Sequence, residues 1–109
     1  MAEQAQLVAL YAEPEDRETF DAKYFGEHLP LTRKMPGLKN IDLVKFTGNA
    51  MGPQVPYYMM ATLTFDSPEA LSQAMRSPEG KAAGTNLMSF AKGVQLLTAE
   101  LQPEGVCTP

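Results

Sequence analysis

The chain contains one histidine, His28, within the stretch YFGEHLPLTRKMPG (residues 24–37). Imidazole is the side chain whose unperturbed pKa lies near neutrality, so a general acid or base in this protein is most naturally His28. Tyr24 stands four residues earlier, on the same helical stripe, where its hydroxyl could orient a substrate oxygen. A positioned histidine contributes about 10²–10⁴-fold to a proton transfer. Paired with a tyrosine that polarises oxygen, it suits an activated C–H bond or a lactone. The same residue type near a helix C-terminus is also favoured by the macrodipole with no chemistry at all. Spacing alone leaves both readings standing.

The remaining candidates would bind rather than react. Tyr24, Tyr57, Tyr58 and Phe90 could line an apolar pocket with a few polar tips, and Met59 and the other methionines would make such a wall adaptable. The ligand-binding set is therefore Tyr24, Tyr57, Met59 and Phe90. Aromatic and methionine residues at helical or strand spacing serve plain core packing as readily. Asp66 precedes a helix start, Glu27 and Asp42 read as solvated, and Cys107 lies in a Pro/Gly-containing tail with no base in sequence reach. Phosphate-cradling glycine loops, nucleophile elbows and metal-ligand spacings are absent from the sequence, and one His with one Cys does not assemble a zinc site. The metal set is empty and no cofactor is expected.

At 109 residues the chain should form one domain, core about 5–102 with a loose tail at 103–109, small enough to gain from a second subunit. The formal charge of −4, with TRK (32–34) as the one basic gathering, sets nucleic acid aside. No apolar run approaches the roughly 20 residues that span a bilayer. MAEQAQLVAL lacks a basic leader, and a single Cys fits a reducing, cytoplasmic location.

The elements follow from pattern. QLVALYA reads as a strand covered on both faces. Asp16 caps a helix through RETFDAKYFGEH, with Phe20, Tyr24 and His28 as one slowly drifting stripe and Phe25 and Leu29 as a second. Pro30 removes a backbone donor and crowds the carbonyl of Gly26, which predicts a kink near His28–Pro30, a short helical piece to about Met35 and a stop at Pro36–Gly37. LKNIDLVKFTG and VPYYMMATLTFD read as strands, the latter with Tyr57, Met59, Ala61, Leu63 and Phe65 on a core face and Tyr58, Met60, Thr62, Thr64 and Asp66 opposite. SPEA and SPEG, with Ser caps at Ser67 and Ser77, start two helices, the second reaching about Lys92 before Gly93. VQLLTAEL makes the last strand. The order is β-α-β-β-α-β with a split second helical region: α+β, ferredoxin-like, on a four-stranded antiparallel sheet. Apolar residues on both sheet faces suit a dimer joined face to face.

The segments LVALY, YFGEHLPLTRKMPGL, VPYYMMATLTFDSPEAL and SPEGKAAGTNLMSFAKG resemble the EthD family of dimeric α+β barrel proteins over nearly the whole chain. YFxxHxPL and the paired SPE starts after a PYY strand carry the resemblance most specifically. It implies a homodimer of ferredoxin-like subunits, a functional role for His28, and a place for Phe90 in the family pattern. Relatives at that level include isomerases, cyclases, dehydratases, monooxygenases and distant haem-degrading enzymes. Three functions follow as alternatives: cofactor-free acid/base chemistry by His28 on a small, largely apolar oxygenated aromatic or polyketide-like molecule; binding or scavenging of such a molecule without chemistry; and haem binding with His28 as axial ligand.

Overall fold

The computed structural model describes residues 4–53 and 55–101; the expected tail at 103–109, with Cys107, lies outside the described residues. Strand β1 (Ala5–Tyr11) sits inside the sheet, its odd-numbered residues buried against the helices. It pairs antiparallel with β3 (Met59–Phe65) on one side and β4 (Gln95–Glu100) on the other, and β2 (Leu38–Lys45) adds to β3. The order β2-β3-β1-β4 is the expected ferredoxin-like arrangement. In register, Leu7 opposes Leu63 and Ala9 opposes Ala61, so one buried row of each inner strand faces the helices.

The helices begin where short polar side chains supply caps. Asp16 Oδ1 accepts from the backbone N–H of Glu18 and Thr19 and starts α1 (Arg17–Lys23). Ser67 Oγ accepts from Ala70 N–H and Ser77 Oγ from Gly80 N–H, starting α3 (Pro68–Arg76) and α4 (Pro78–Phe90). Gly93 follows α4 in the left-handed region, at φ 72°.

The segment around Pro30 resolves differently from a kink. Residues Tyr24–His28 form a π-helical turn, closed by Leu29 N–H donating to the Tyr24 carbonyl, and run straight into α2 (Leu29–Thr32). Pro30 has no N–H for the Gly26 carbonyl, and the wider register accommodates that without breaking the helix. Gly26 meets open space where a Cβ would stand, so the crowding expected of Pro30 is not absorbed by a missing side chain. An α-helical stripe at four-residue steps drifts by about 40° each step; a turn of wider register advances less per residue and offsets that drift. Phe20, Tyr24, His28 and also Thr32 are consequently all buried. The second stripe splits: Leu29 joins the core, while Phe25 stays 41% exposed, its ring 5.6 Å from Lys45 Nζ.

β3 corrects one face assignment. The predicted core face holds from Met59 to Phe65, but the backbone bends at Tyr58, before the strand starts, and the alternation fails there. Tyr58 is buried against Phe20, and its hydroxyl donates to the Asp21 carboxylate at 2.9 Å. Tyr57, expected in the core, is half-buried and packs on Phe46 instead, with ring centroids 6.4 Å apart.

Candidate active site

Two helical segments hold the site. The π turn brings His28 under α4, and α2 carries Thr32 one turn further. His28 is 6% exposed. Its ring lies 5.2 Å from that of Tyr24 and 6.1 Å, edge to face, from that of Phe90. Thr32 Oγ1 is 3.3 Å from His28 Nε2 and also donates to the His28 carbonyl at 3.0 Å. His28 Nδ1 is buried with no hydrogen-bond partner among the described residues.

Burial pushes the imidazole below the ordinary histidine value of 6.5, while the Asn86 side chain and the Ala83 carbonyl pull it back upward. Because the folded state resists protonation, the unfolded chain binds the extra proton first as pH falls through that value. The stability tied to His28 is complete above pH 6.5 and is lost as pH drops towards its lower folded pKa. Urea midpoints should therefore fall below pH 6.5 more steeply for the native protein than for His28→Gln; parallel curves would contradict the burial effect.

A cavity of about 50 Å³ lies between this helical layer and the sheet, lined by Tyr11, Tyr24, His28, Thr32 and apolar residues including Leu63 and Leu87. Burial raises both phenols above the ordinary tyrosine value; the neighbouring Tyr24 raises Tyr11 further, while Tyr11 pulls Tyr24 back down, and the two rings stand edge to face at 5.4 Å. A larger hollow of about 410 Å³ opens at the far side of the Phe20–Phe90 pair, where Lys23, Lys92 and Glu15 sit at its rim. Phe90 thus lines the outer hollow while its ring touches His28.

The structure brings three of the sequence candidates together: His28, Tyr24 and Phe90. Met59 is fully buried core and does not border the cavity. Tyr57 borders a separate shallow hollow with Phe46 and Val55, away from His28. Tyr11, Thr32 and Asn86 belong to the His28 environment and were not among those candidates. Thr32 extends the Tyr24–His28 spacing by another four residues, a signal the sequence did carry. Tyr11 and Asn86 arrive from other elements and had no local signal.

The His28 environment does not fit haem. Nε2 lies 3.3 Å from Thr32 Oγ1, Nδ1 is buried, and about 50 Å³ has no room for a porphyrin plane. Among the described residues no group of three or more His, Cys, Asp or Glu is placed to hold a metal, and no helix is long and apolar enough to cross a membrane.

Comparison with known proteins places this architecture. An uncharacterised 11.0 kDa protein from the thcB–thcC intergenic region of Rhodococcus erythropolis is 32% identical over 88 residues, covering 81% of this chain and 84% of that one. The crystal structure of an ethyl tert-butyl ether D (EthD) family protein from Bacillus halodurans is 43% identical, with a TM-score of 0.86, over 91% of this chain and 99% of that one. SnoaB, a cofactor-independent oxygenase from Streptomyces nogalater, shares the fold at 12% identity and a TM-score of 0.66, over 99% and 100% of the two chains. Further structures sharing the fold at 16–18% identity are of dimeric ferredoxin-like proteins. Residues 12–91 match the EthD domain, and the chain belongs to the EthD family.

Proposed function

We propose that this protein is a homodimer that binds a small, largely apolar oxygenated molecule, aromatic or polyketide-like, and moves a proton on it with His28 and no cofactor. One observation carries the reading: a buried imidazole that borders an apolar cavity beside the Tyr24 phenol. Such a site holds a ligand oxygen at Tyr24 and offers His28 as acid or base, which serves isomerisation, cyclisation or dehydration. The existence of a cofactor-independent oxygenase on the same fold agrees with chemistry of this kind.

The cavity is smaller than a ring-bearing ligand, since small-molecule sites run to about 300–1,000 Å³. His28 borders the cavity and Phe90, 6.1 Å away ring to ring, borders the outer hollow; in this reading ligand entry displaces Phe90 and joins the two spaces. The reading is tested by incubating the protein with a panel of small phenolic, lactone and polyketide-type compounds and analysing products by mass spectrometry and NMR. A new product formed in proportion to protein supports it. Compounds that bind and return unaltered leave a binding protein without chemistry.

The dimer is proposed on the sheet face turned away from the helices. Val8, Leu10, Met60 and Thr62 occupy its centre, each half-buried, flanked by Val44 and Leu97 at 42% and 48% exposure. Val8→Glu puts a carboxylate in the middle of that face. Sedimentation equilibrium should show the native 11.9 kDa chain as a dimer and this variant as a monomer. A native monomer would rule the interface out.

A further inference from the structure

The hydrogen bonds around His28 contain one unresolved contact. Asn86 Nδ2 donates to Glu27 Oε1 at 3.2 Å. A carboxylate offers only acceptors, so the amide nitrogen must face Glu27 and the Asn86 oxygen must point the other way. That oxygen, Oδ1, is buried with no hydrogen-bond partner among the described residues, and so is His28 Nδ1. The Asn86 side chain acts on the imidazole as an acceptor does, raising its affinity for a proton, although the pair does not complete a hydrogen bond. Leaving both atoms buried and unpaired forfeits their hydration with no hydrogen bond in return. A proton on Nδ1 lets one short adjustment satisfy both.

We propose that Asn86, braced by Glu27, is a positioning residue that keeps a proton on His28 Nδ1 and leaves Nε2 as the nitrogen that takes up and returns protons. Nε2 lies beside Thr32, which borders the cavity; Asn86 does not border it. The inference deepens the acid/base reading above and rests on it for its catalytic meaning.

Thr32 completes the arrangement. Its single hydroxyl proton has two acceptors within reach, the His28 carbonyl at 3.0 Å and Nε2 at 3.3 Å. With neutral imidazole, the hydroxyl can turn to donate to Nε2, or leave that lone pair to a ligand. When Nε2 gains a proton, the hydroxyl turns to the carbonyl and its oxygen accepts from Nε2–H. Every polar group then has a partner: Nδ1–H on Asn86, Nε2–H on Thr32, and the threonine proton on the backbone. The other titratable groups facing this cluster are Tyr24 on the π turn and Tyr11 across the cavity on β1, with Glu27 behind Asn86; Ala83 and Phe90 of α4 complete the surroundings.

The chain has one histidine, so ¹⁵N-labelled imidazole can be read without assignment ambiguity. Long-range ¹H–¹⁵N spectra of the native protein, taken above the histidine pKa and with no ligand, should show Nδ1 protonated and Nε2 unprotonated. In Asn86→Leu the proton should move to Nε2, where Thr32 accepts it, whereas Thr32→Val should keep the Nδ1–H form. A native protein with the proton on Nε2 overturns the inference. So does an Asn86→Leu variant that keeps the Nδ1–H tautomer, which would assign the role to the Ala83 carbonyl. Should Asn86→Leu fail to fold, Asn86→Ala, which removes the same acceptor, makes the same test. Because no substrate is present, this result stands apart from whether His28 performs catalysis.

Discussion

Replacing His28 by glutamine should lower turnover of the substrate by about 10²–10⁴-fold, the range ascribed to one positioned acid or base. Glutamine has comparable length and keeps donors and acceptors for Thr32 and Asn86, so the fold and ligand affinity should change little. It does not titrate near neutrality. The loss should therefore fall on kcat and leave KM nearly unaltered, the mark of an interaction made in the transition state. The pH profile carries a second signature. Since burial holds the imidazole below 6.5, a reaction using it as base should rise with pH to a plateau reached below the usual histidine range. One using it as acid should instead decline with rising pH over that same low range. Equal turnover by His28→Gln and native protein would remove His28 from the chemistry.

Gly80→Ala should destabilise the fold by about 3 kcal/mol, at the upper end of what overpacking usually costs. The glycine is the third residue of α4, and Ser77, which caps that helix, also donates its hydroxyl proton to the Ala74 carbonyl. A Cβ on Gly80 would stand 2.0 Å from that same carbonyl oxygen and 3.1 Å from Met75 Cα. The obstacle is backbone and cannot rotate aside. Relief requires α4 to separate from α3, which breaks the Ser77 contacts and moves Gly80, Ala83 and Gly84, all of which border the His28 cavity. Urea denaturation measures the loss, and a change below about 0.5 kcal/mol would show that the junction yields freely. Gly84 meets no atom within 4 Å of an added Cβ, so Gly84→Ala serves as a control with no comparable loss.

Much of the architecture was readable because it is locally encoded. Asp16, Ser67 and Ser77 start helices through hydrogen bonds to residues two or three positions away. The odd-numbered residues of β1 and the row from Met59 to Phe65 alternate as a half-covered sheet requires. The assignment of Tyr57 failed where a bend at Tyr58 ended the alternation, and strand periodicity does not mark where a strand begins. The site was half legible. His28 and Tyr24 share a stripe, and Phe90 was expected from the family resemblance. Tyr11 and Asn86 reach His28 only through tertiary packing, with nothing local in their own segments to point there. Thr32 lay within reach of the four-residue spacing, but Pro30 between it and His28 suggested a broken helix and so concealed the continuation.

The π turn at Tyr24–His28 behaves as a phase corrector in an otherwise α-helical rod. By widening one turn, it keeps four side chains in a vertical column over the sheet, where a uniform α-helix would let them spiral away. Chain length and rotational angle are therefore interchangeable here. One residue more or less in this segment would act less as a lengthening than as a twist, turning α2 and everything after it relative to α1. The angle at which His28 meets the cavity is thus set by how many residues the turn contains, independently of which residues they are.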